Sequence, residues 1–287
     1  MIKDYYTLTK PGIIYGNAIT VIAGFFLASS SVLEWKLLPL VLIGISLIIA
    51  AGCVFNNYID RDIDSRMERT KKRALVVGSI PSLSALVYGA VLGLLGTGVL
   101  LFFTNYTTVL VALAGLFVYV VVYSLWLKRT SVHSALIGGI SGAIPPVVGY
   151  VAVSGTLDIG AILLFSILVL WQMPHSFAIA IYRLGDYQAA HIPVLPVMRG
   201  VSITKLQIII YTILFVIATC LLFVFGYVGQ LYLYSMLLLG ALWIRIAVLG
   251  LYTDATHDTT WAKKVFRFSI IVLLVWCLVI IVERLLL

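Results

Sequence analysis

Long uncharged runs separated by short polar segments set the pattern of this chain. A helix needs about 20 apolar residues to cross a bilayer. Runs of that order fall at 12–30, 37–57, 82–103, 107–127, 135–154, 159–182, 207–226, 231–252 and 267–285. The apolar stretch from Ala74 to Leu127 is too long for one crossing and breaks at Thr104-Asn105, and that from Leu206 to Ile244 breaks between Gly226 and Gln230. The first run exceeds a signal-peptide core and has no convincing cleavage site, so it reads as a retained span. The last carries Arg267 at its start and Glu283-Arg284 near its end, which leaves its charge-free part short. The pattern predicts an all-α fold, a polytopic membrane bundle of about nine transmembrane helices forming one integral membrane domain over 1–287.

Composition sharpens this picture. Hydrophobic residues make up 62% of the chain, charged residues 10%, and the mean hydropathy is +1.14. That balance excludes a soluble domain. Cys53, Cys220 and Cys277 all lie in apolar segments without metal-ligand spacing and read as core residues. The net charge is +8, and sixteen of the nineteen Lys and Arg residues lie before span 1 or after spans 2, 4, 6 and 8. The positive-inside rule then places the N-terminus in the cytoplasm and the C-terminus outside, in a plasma (inner) membrane protein. The positive excess is thus a topology signal and a contact with membrane lipid. The polar stretches are too short for a nucleic-acid groove, so no nucleic-acid partner is expected. The long connections, Ile59 to Pro81 and Arg183 to Lys205, are on the basic side, whereas outer loops such as Ser31 to Lys36 are tight. Connections longer than the path requires tend to carry function, so the active site is expected to face the cytoplasm.

The candidate chemistry sits in those two loops. Span 2 ends in Asn56-x3-Asp60-x3-Asp64, with Asp62 inside the motif. If the helix continues, Asn56, Asp60 and Asp64 share one face, where like charges repel unless a cation lies between them. Such a set of hard oxygens suits Mg²⁺, which is held by one or two carboxylates plus substrate phosphates. Arg66, Arg69, Lys71, Lys72 and Arg73 follow directly. Alone they are a positive-inside signal, but beside a metal they supply what a pyrophosphate needs. The second cluster ends span 6: Trp171, Gln172, Pro174-His175, then Tyr182, Arg183, Asp186, Tyr187 and His191. In a closed bundle the two loops can meet over one cavity. Pro174 frees a backbone carbonyl, as happens where helices line a polar cavity. His175 reads equally well as a packing residue or a functional one, and His191 as a solvated loop histidine. Asn17 in span 1 must face protein or cavity. Gly138, Gly139, Ser141 and Gly142 with Pro145-Pro146 read as close helix packing. Arg245 reads as a snorkelling structural residue unless it meets a substrate anion.

Together these motifs resemble the UbiA-type intramembrane prenyltransferases. The wording is closest to the branch of that family whose acceptor is protohaem IX. It rests on Thr9-Lys10-Pro11-Gly12-Ile13, on Cys53 to Asp64 followed by Met67-Glu68-Arg69-Thr70, and on Ser141-Gly142-Ala143 with Pro145-Pro146. It rests also on Trp171-Gln172-Met173-Pro174-His175, Asp186-Tyr187 and Ile192-Pro193-Val194-Leu195-Pro196, and spans about Asp4 to Phe268. The resemblance implies farnesyl pyrophosphate as donor, haem B as acceptor and Mg²⁺ as cofactor. A haem vinyl group would take the farnesyl chain and water would add, giving haem O. It implies catalytic roles for Asn56, Asp60, Asp64 and Asp186, with the metal on Asp60 and Asp64. Asn17, Arg61, Arg66, Arg69, Lys72, His175, Tyr182, Arg183, Tyr187 and His191 would bind substrate, and His175 or His191 would ligate haem iron. A contact with a haem oxidase assembly or haem A synthase is a further implication. One departure stands out: many members carry a second Asp-x3-Asp pair after span 6, and here Asp186 is the only acid in that loop. Two other readings remain at this point. One is a prenyltransferase acting on an aromatic quinone precursor. The other is a haem or solute transporter without chemistry, drawing on Asn17, His175 and Arg245. Against transport, the acids cluster at one membrane face rather than at the midplane.

Overall fold

Each apolar run forms a helix, because in hydrocarbon every backbone N–H and C=O must be satisfied within its own segment. The computed structural model describes residues 2–29 and 34–286. Among the described residues nine helices are long and apolar enough to cross a membrane. They are α1 Pro11–Ala28, α2 Leu37–Ile59, α3 Ser82–Phe103, α4 Tyr106–Thr130 and α5 Ser134–Ser154, then α6 Ile159–Tyr182, α7 Val201–Val224, α8 Gln230–Tyr252 and α9 Asp258–Leu286. The chain is therefore a multi-pass integral membrane protein. The expected end of the first span at residue 30, and residues 31–33 of the outer loop, lie outside the described residues.

The helices pack as a closed bundle. α2 pairs with α3, α6 with α7 and α9, α7 with α8, and α9 also lies against α8 and α1. The tightest crossing is α1 on α5. A Cβ on Gly24 would stand 1.9 Å from the Pro146 carbonyl oxygen, and one on Gly149 would stand 2.1 Å from that of Val21. Only glycine allows the two backbones to approach so closely. α5 is broken at Ala143, where Ser134–Gly142 ends and Ile144–Ser154 begins with prolines in its first turn. The glycines before the break have the packing role expected of them. Gln172 lies across them and donates to the Gly139 carbonyl at 3.1 Å.

Three helices depart from their expected bounds: α4, α9 and α7, which begins at Val201 rather than 207. α4 is α-helical over Tyr106–Phe117, π-helical over Val118–Leu127 and α-helical again over Lys128–Thr130. Long π segments are rare and tend to mark functional positions. α9 begins nine residues before the expected 267, at Asp258, whose charge has a partner. Asp258 pairs with Lys205 at 2.5 Å, and Lys205 also donates to the Thr253 carbonyl at 3.1 Å. At the other end Glu283, buried, accepts from the backbone N–H groups of Gly229 at 2.6 Å and Tyr232 at 2.7 Å. It thereby caps the first turn of α8 from another helix. Of the charges that shorten this span in the sequence, Glu283 and Arg284 are structural partners in the fold, whereas Arg267 is exposed.

Candidate active site

The acid motif sits on a near-continuous helical path. α2 ends at Ile59 and a single turn, Arg61–Asp64, follows. The Asp60 N–H still bonds the Asn56 carbonyl at 2.9 Å, and the Asp64 N–H bonds the Asp60 carbonyl at 2.8 Å. The three polar residues therefore face inward together and are all buried, Asn56 and Asp64 at 3% exposure and Asp60 at 0%. Asp62 points outward, with 54% of its side chain exposed.

Cations from three other segments hold the acids. Lys10 donates to Asn56 Oδ1 at 2.5 Å, and Asn56 Nδ2 donates in turn to Asp60 Oδ2 at 2.7 Å and to Ser124 Oγ at 3.0 Å. Lys128, the residue directly after the π segment, forms a short ion pair with Asp60. Arg73 pairs with Asp64 Oδ2 at 2.5 Å, and Thr70 pins the same turn by donating to the Asp64 carbonyl at 2.9 Å. Lys10 reaches inward from a left-handed backbone position (φ 52°), sparsely populated for a residue with a Cβ. Burial pushes its ammonium down to about 8. Arg129 forks onto Asp62 at 2.6 and 2.7 Å and holds that carboxyl down to about 2. The Asp62 pair contributes above pH ~3.9, the carboxyl's ordinary value, and is lost as pH falls through about 2. Because it is half in solvent, it is worth under ~1 kcal/mol.

The second loop closes over the first. Ile63 and Met67 pack with Ala190 and Ile192, and Tyr187 lies against them. Asp186 accepts from the Glu68 N–H at 3.2 Å and stands 3.9 Å from Arg183. Asp186 thus fastens one loop to the other. Burial raises the Tyr187 phenol above its ordinary value, and the Tyr123 hydroxyl adds to the shift while Arg69 and Lys128 oppose it. Tyr119 and Tyr123 stack at 5.9 Å on the π segment, and Lys128 lies 5.9 Å from the Tyr123 ring. The result is a wall of tyrosines beside the buried acids.

Other expected site residues lie apart from this focus. Arg61 turns outward over the Tyr58 ring at 4.3 Å and donates to the Tyr58 carbonyl at 2.6 Å. Arg66, Arg69 and Lys72 are exposed on the first loop. Arg183 is exposed beside Tyr182, 5.5 Å from its ring. Asn17 is half-buried and donates to its own helix at the Ile13 carbonyl, 2.8 Å away. His175 is sandwiched between Trp171 at 4.7 Å and Phe266 at 4.8 Å, with Nδ1 2.8 Å from Ser269 Oγ. That is a packing position between α6 and α9. His191 is exposed in a left-handed turn (φ 55°). Sequence reasoning gives no site role to Lys10, Lys128, Tyr119, Tyr123 or Ser124, and takes Arg73 only as part of the basic run. The one signal for Tyr119, Tyr123 and Ser124 was a set of hydroxyls inside an otherwise apolar run.

The donor set fits a divalent cation. Asp60 Oδ1 is buried without a hydrogen-bond partner, while Lys128 occupies the other oxygen. Among the described residues no cluster of three or more His, Cys, Asp or Glu forms a complete metal cage. Two carboxylates on hard oxygens are what Mg²⁺ accepts when substrate phosphates complete its shell. Lys128→Met is expected to destabilise the protein by about 3 kcal/mol, because it takes the close counter-ion from the buried Asp60 charge and leaves it only the Asn56 amide and Arg129, 4.0 Å from Oδ1. Thermal unfolding in detergent measures this, and an unchanged midpoint would refute the pairing.

The profile of the UbiA prenyltransferase family matches residues 17–280. The protoheme IX farnesyltransferase of Photorhabdus laumondii is 52% identical over 271 residues, covering 94% of this chain and 92% of that protein. The protein of the same name from Yersinia pseudotuberculosis is also 52% identical, covering 94% and 91%. Among solved structures, a digeranylgeranylglyceryl phosphate synthase superimposes with TM-score 0.81 at 23% identity, covering 100% of this chain and 99% of that one. A UbiA homologue from Archaeoglobus fulgidus bound to GPP and Mg²⁺ superimposes with TM-score 0.70 at 14% identity, covering 97% and 99%.

Proposed function

Because the chain belongs to the UbiA prenyltransferase family, we propose that it transfers a farnesyl group from farnesyl pyrophosphate to a vinyl group of protohaem IX, with addition of water, to give haem O. The buried Asn56-Asp60-Asp64 face, ringed by Lys10, Arg73 and Lys128, is the observation that carries the reaction class. The likeness to protoheme IX farnesyltransferases over 94% of the chain supports haem as acceptor over an aromatic quinone precursor. A transporter leaves the buried acid and cation cluster without a task.

Asp60 and Asp64, with Asn56 holding Asp60 in place, would hold Mg²⁺, which would neutralise pyrophosphate oxygens and stabilise the charge that leaves with them. Lys128 and Arg73, paired with these carboxylates, are placed to hold the pyrophosphate oxygens as well. Arg66, Arg69 and Lys72 line the exposed approach on the first loop and attract the anionic donor. The bond between farnesyl C1 and oxygen breaks, and its electron pair departs with the pyrophosphate. The vinyl electrons attack C1 of the allylic cation, water adds to the carbocation left beside the porphyrin ring, and its proton is released. No protein nucleophile is required. Tyr119, Tyr123 and Tyr187 exclude water from the allylic cation and present their ring faces to it. Asp186 keeps the loops joined. Tyr182, Arg183 and His191 face the acceptor from the second loop.

Incubation of the detergent-purified protein with haem B, farnesyl pyrophosphate and Mg²⁺ tests this reading. The expected pigment is heavier than haem by one farnesyl group plus one water, and EDTA should prevent its formation. Unchanged haem, with the pyrophosphate consumed only when an aromatic acid is supplied, would move the protein to the quinone branch. Iron ligation is proposed for His191, which is exposed on the second loop, whereas His175 is packed between α6 and α9 with Nδ1 on Ser269. His191→Ala should alter the Soret band of bound haem and His175→Ala should not. The reverse pattern would exchange their roles. The site faces the cytoplasm of a bacterial inner membrane, on the side where sixteen of the nineteen Lys and Arg residues lie. A contact with a haem A synthase or oxidase assembly would let the apolar product pass on without crossing water.

A further inference from the structure

Away from the acid cluster, a groove of about 460 Å³ opens between α8 and the start of α9. Its apolar wall includes Leu242, Leu249, Trp261 and Phe268, and its cations are Arg245 and Lys264. None of the acid-cluster residues lines it. Leu242 and Leu249 are 39% and 51% exposed, so the groove opens sideways toward the acyl chains. Arg245 lies four residues before the end of the regular helix at Leu249, which places its Cα roughly 6 Å below that end. Lys264 is six residues into α9, roughly 9 Å from its start. Both side chains can reach headgroup depth while their stems lie along the apolar wall.

These two cations are available, whereas the neighbouring charges are engaged. Asp258 pairs with Lys205, and Asp254 pairs with His257 at 2.7 Å. Among the described residues neither Arg245 nor Lys264 makes an ion pair or a side-chain hydrogen bond. An arginine inside an apolar span, facing a groove rather than a carboxylate, calls for an anion from outside the chain. The depth, the apolar wall and the sideways opening require that this anion carry a hydrocarbon tail.

We propose that the groove between α8 and α9 binds one anionic phospholipid, its phosphate held by Arg245 and Lys264 and an acyl chain lying along Leu242, Leu249 and Phe268. A free phosphate would satisfy the cations and leave the apolar wall uncovered. Thr253 and Trp261 line the groove; Thr253 is fixed from outside it by Lys205 and Asp258, and Trp261 is only 4% exposed. A lipid seated there is therefore a specific ligand of a preformed site, distinct from the exchanging shell around the bundle.

The test is native mass spectrometry of the full chain from mixed micelles of phosphatidylglycerol and phosphatidylcholine. Arg245→Gln/Lys264→Gln should reduce retained phosphatidylglycerol by about tenfold or more, given the attraction of each basic side chain for anionic lipid. Lys263→Gln/Arg267→Gln removes two exposed cations from the same helix but outside the groove, and should leave retention unchanged. The single Arg245→Gln and Lys264→Gln variants should fall between, so the result stands even if the double variant folds poorly. Equal loss in the control pair, equal retention of phosphatidylcholine, or displacement of phosphatidylglycerol by inorganic phosphate alone would overturn the assignment.

Discussion

Asp60→Asn is expected to lower kcat/KM by about a thousandfold, the scale of losing a principal electrostatic contact in the transition state, while the protein remains folded. Asparagine preserves volume and keeps an oxygen to accept from Asn56 Nδ2, so the helical turn need not change. The group lost is the negative charge, and with it the divalent cation that must meet the pyrophosphate. Lys128 loses its counter-ion, but its side chain is 17% exposed and can turn to water. This asymmetry separates the two halves of the pair. Removing Lys128 strands a carboxylate that is 1% exposed, whereas removing Asp60 frees an ammonium that can be hydrated. Asp64→Asn should behave like Asp60→Asn, with Arg73 released. Asp62→Asn should change turnover by no more than about twofold, since its pair with Arg129 is exposed and weak. Turnover in detergent with haem B and farnesyl pyrophosphate, alongside size-exclusion profiles, decides the matter. Wild-type rates in Asp60→Asn or Asp64→Asn would remove the metal from these carboxylates, and equal losses at all three positions would mean that only net charge matters.

The largest stability effect outside the site is expected from Glu283→Ala, at about 3 kcal/mol. The carboxylate accepts from two backbone N–H groups at the start of α8, and Tyr232, which carries one of them, is fully buried. An unsatisfied buried donor costs about 1–3 kcal/mol. Alanine leaves both without an acceptor and opens a gap beside Gly229, whose Cβ position lies 3.1 Å from Glu283 Oε1. Glu283→Gln retains one oxygen and should recover about half of the loss. Arg284 adds a second tether by donating to the Leu27 carbonyl at 3.0 Å, which ties the end of α9 to α1. Thermal unfolding in detergent reads the difference. A midpoint for Glu283→Ala equal to that of the parent protein would show that the cap contributes nothing.

The nine helices among the described residues are legible because bilayer thickness imposes a length on every apolar run, and the bounds fail where charged residues lie inside helices. Lys205 and Glu283 each look like the edge of a span. Each lies inside a helix because another segment supplies its counter-charge or its donors. The inward acids were legible for a local reason: positions 56, 60 and 64 are one helical turn apart and the backbone bonds between them persist. Their cations were not. Lys10 and Lys128 come from 46 and 68 residues away, and in sequence they are indistinguishable from basic residues that fix topology. Arg73 was hidden in the same way at the end of a basic run. Arg61 enters the expected site only through the resemblance; on a helix the neighbour of an inward residue faces a different direction, and the structure turns it onto Tyr58.

The π segment of α4 has a consequence for how this helix tolerates change in length. Wide turns over Val118–Leu127 set the phase between Asn105, where the helix is capped, and Lys128, where it meets Asp60. A π turn carries one residue more than the α turn it replaces. Deleting one residue from that stretch therefore lets the winding tighten toward ordinary α-helix while the flanking residues keep their phase. A deletion in the α-helical part of the same helix, over Tyr106–Phe117, would instead turn everything beyond it by about 100° about the axis, and Lys128 would point elsewhere. The slack in the winding thus stores a residue of length: a chain shortened there would keep both its membrane topology and the alignment of Lys128, whereas one shortened earlier in the helix would keep only the first.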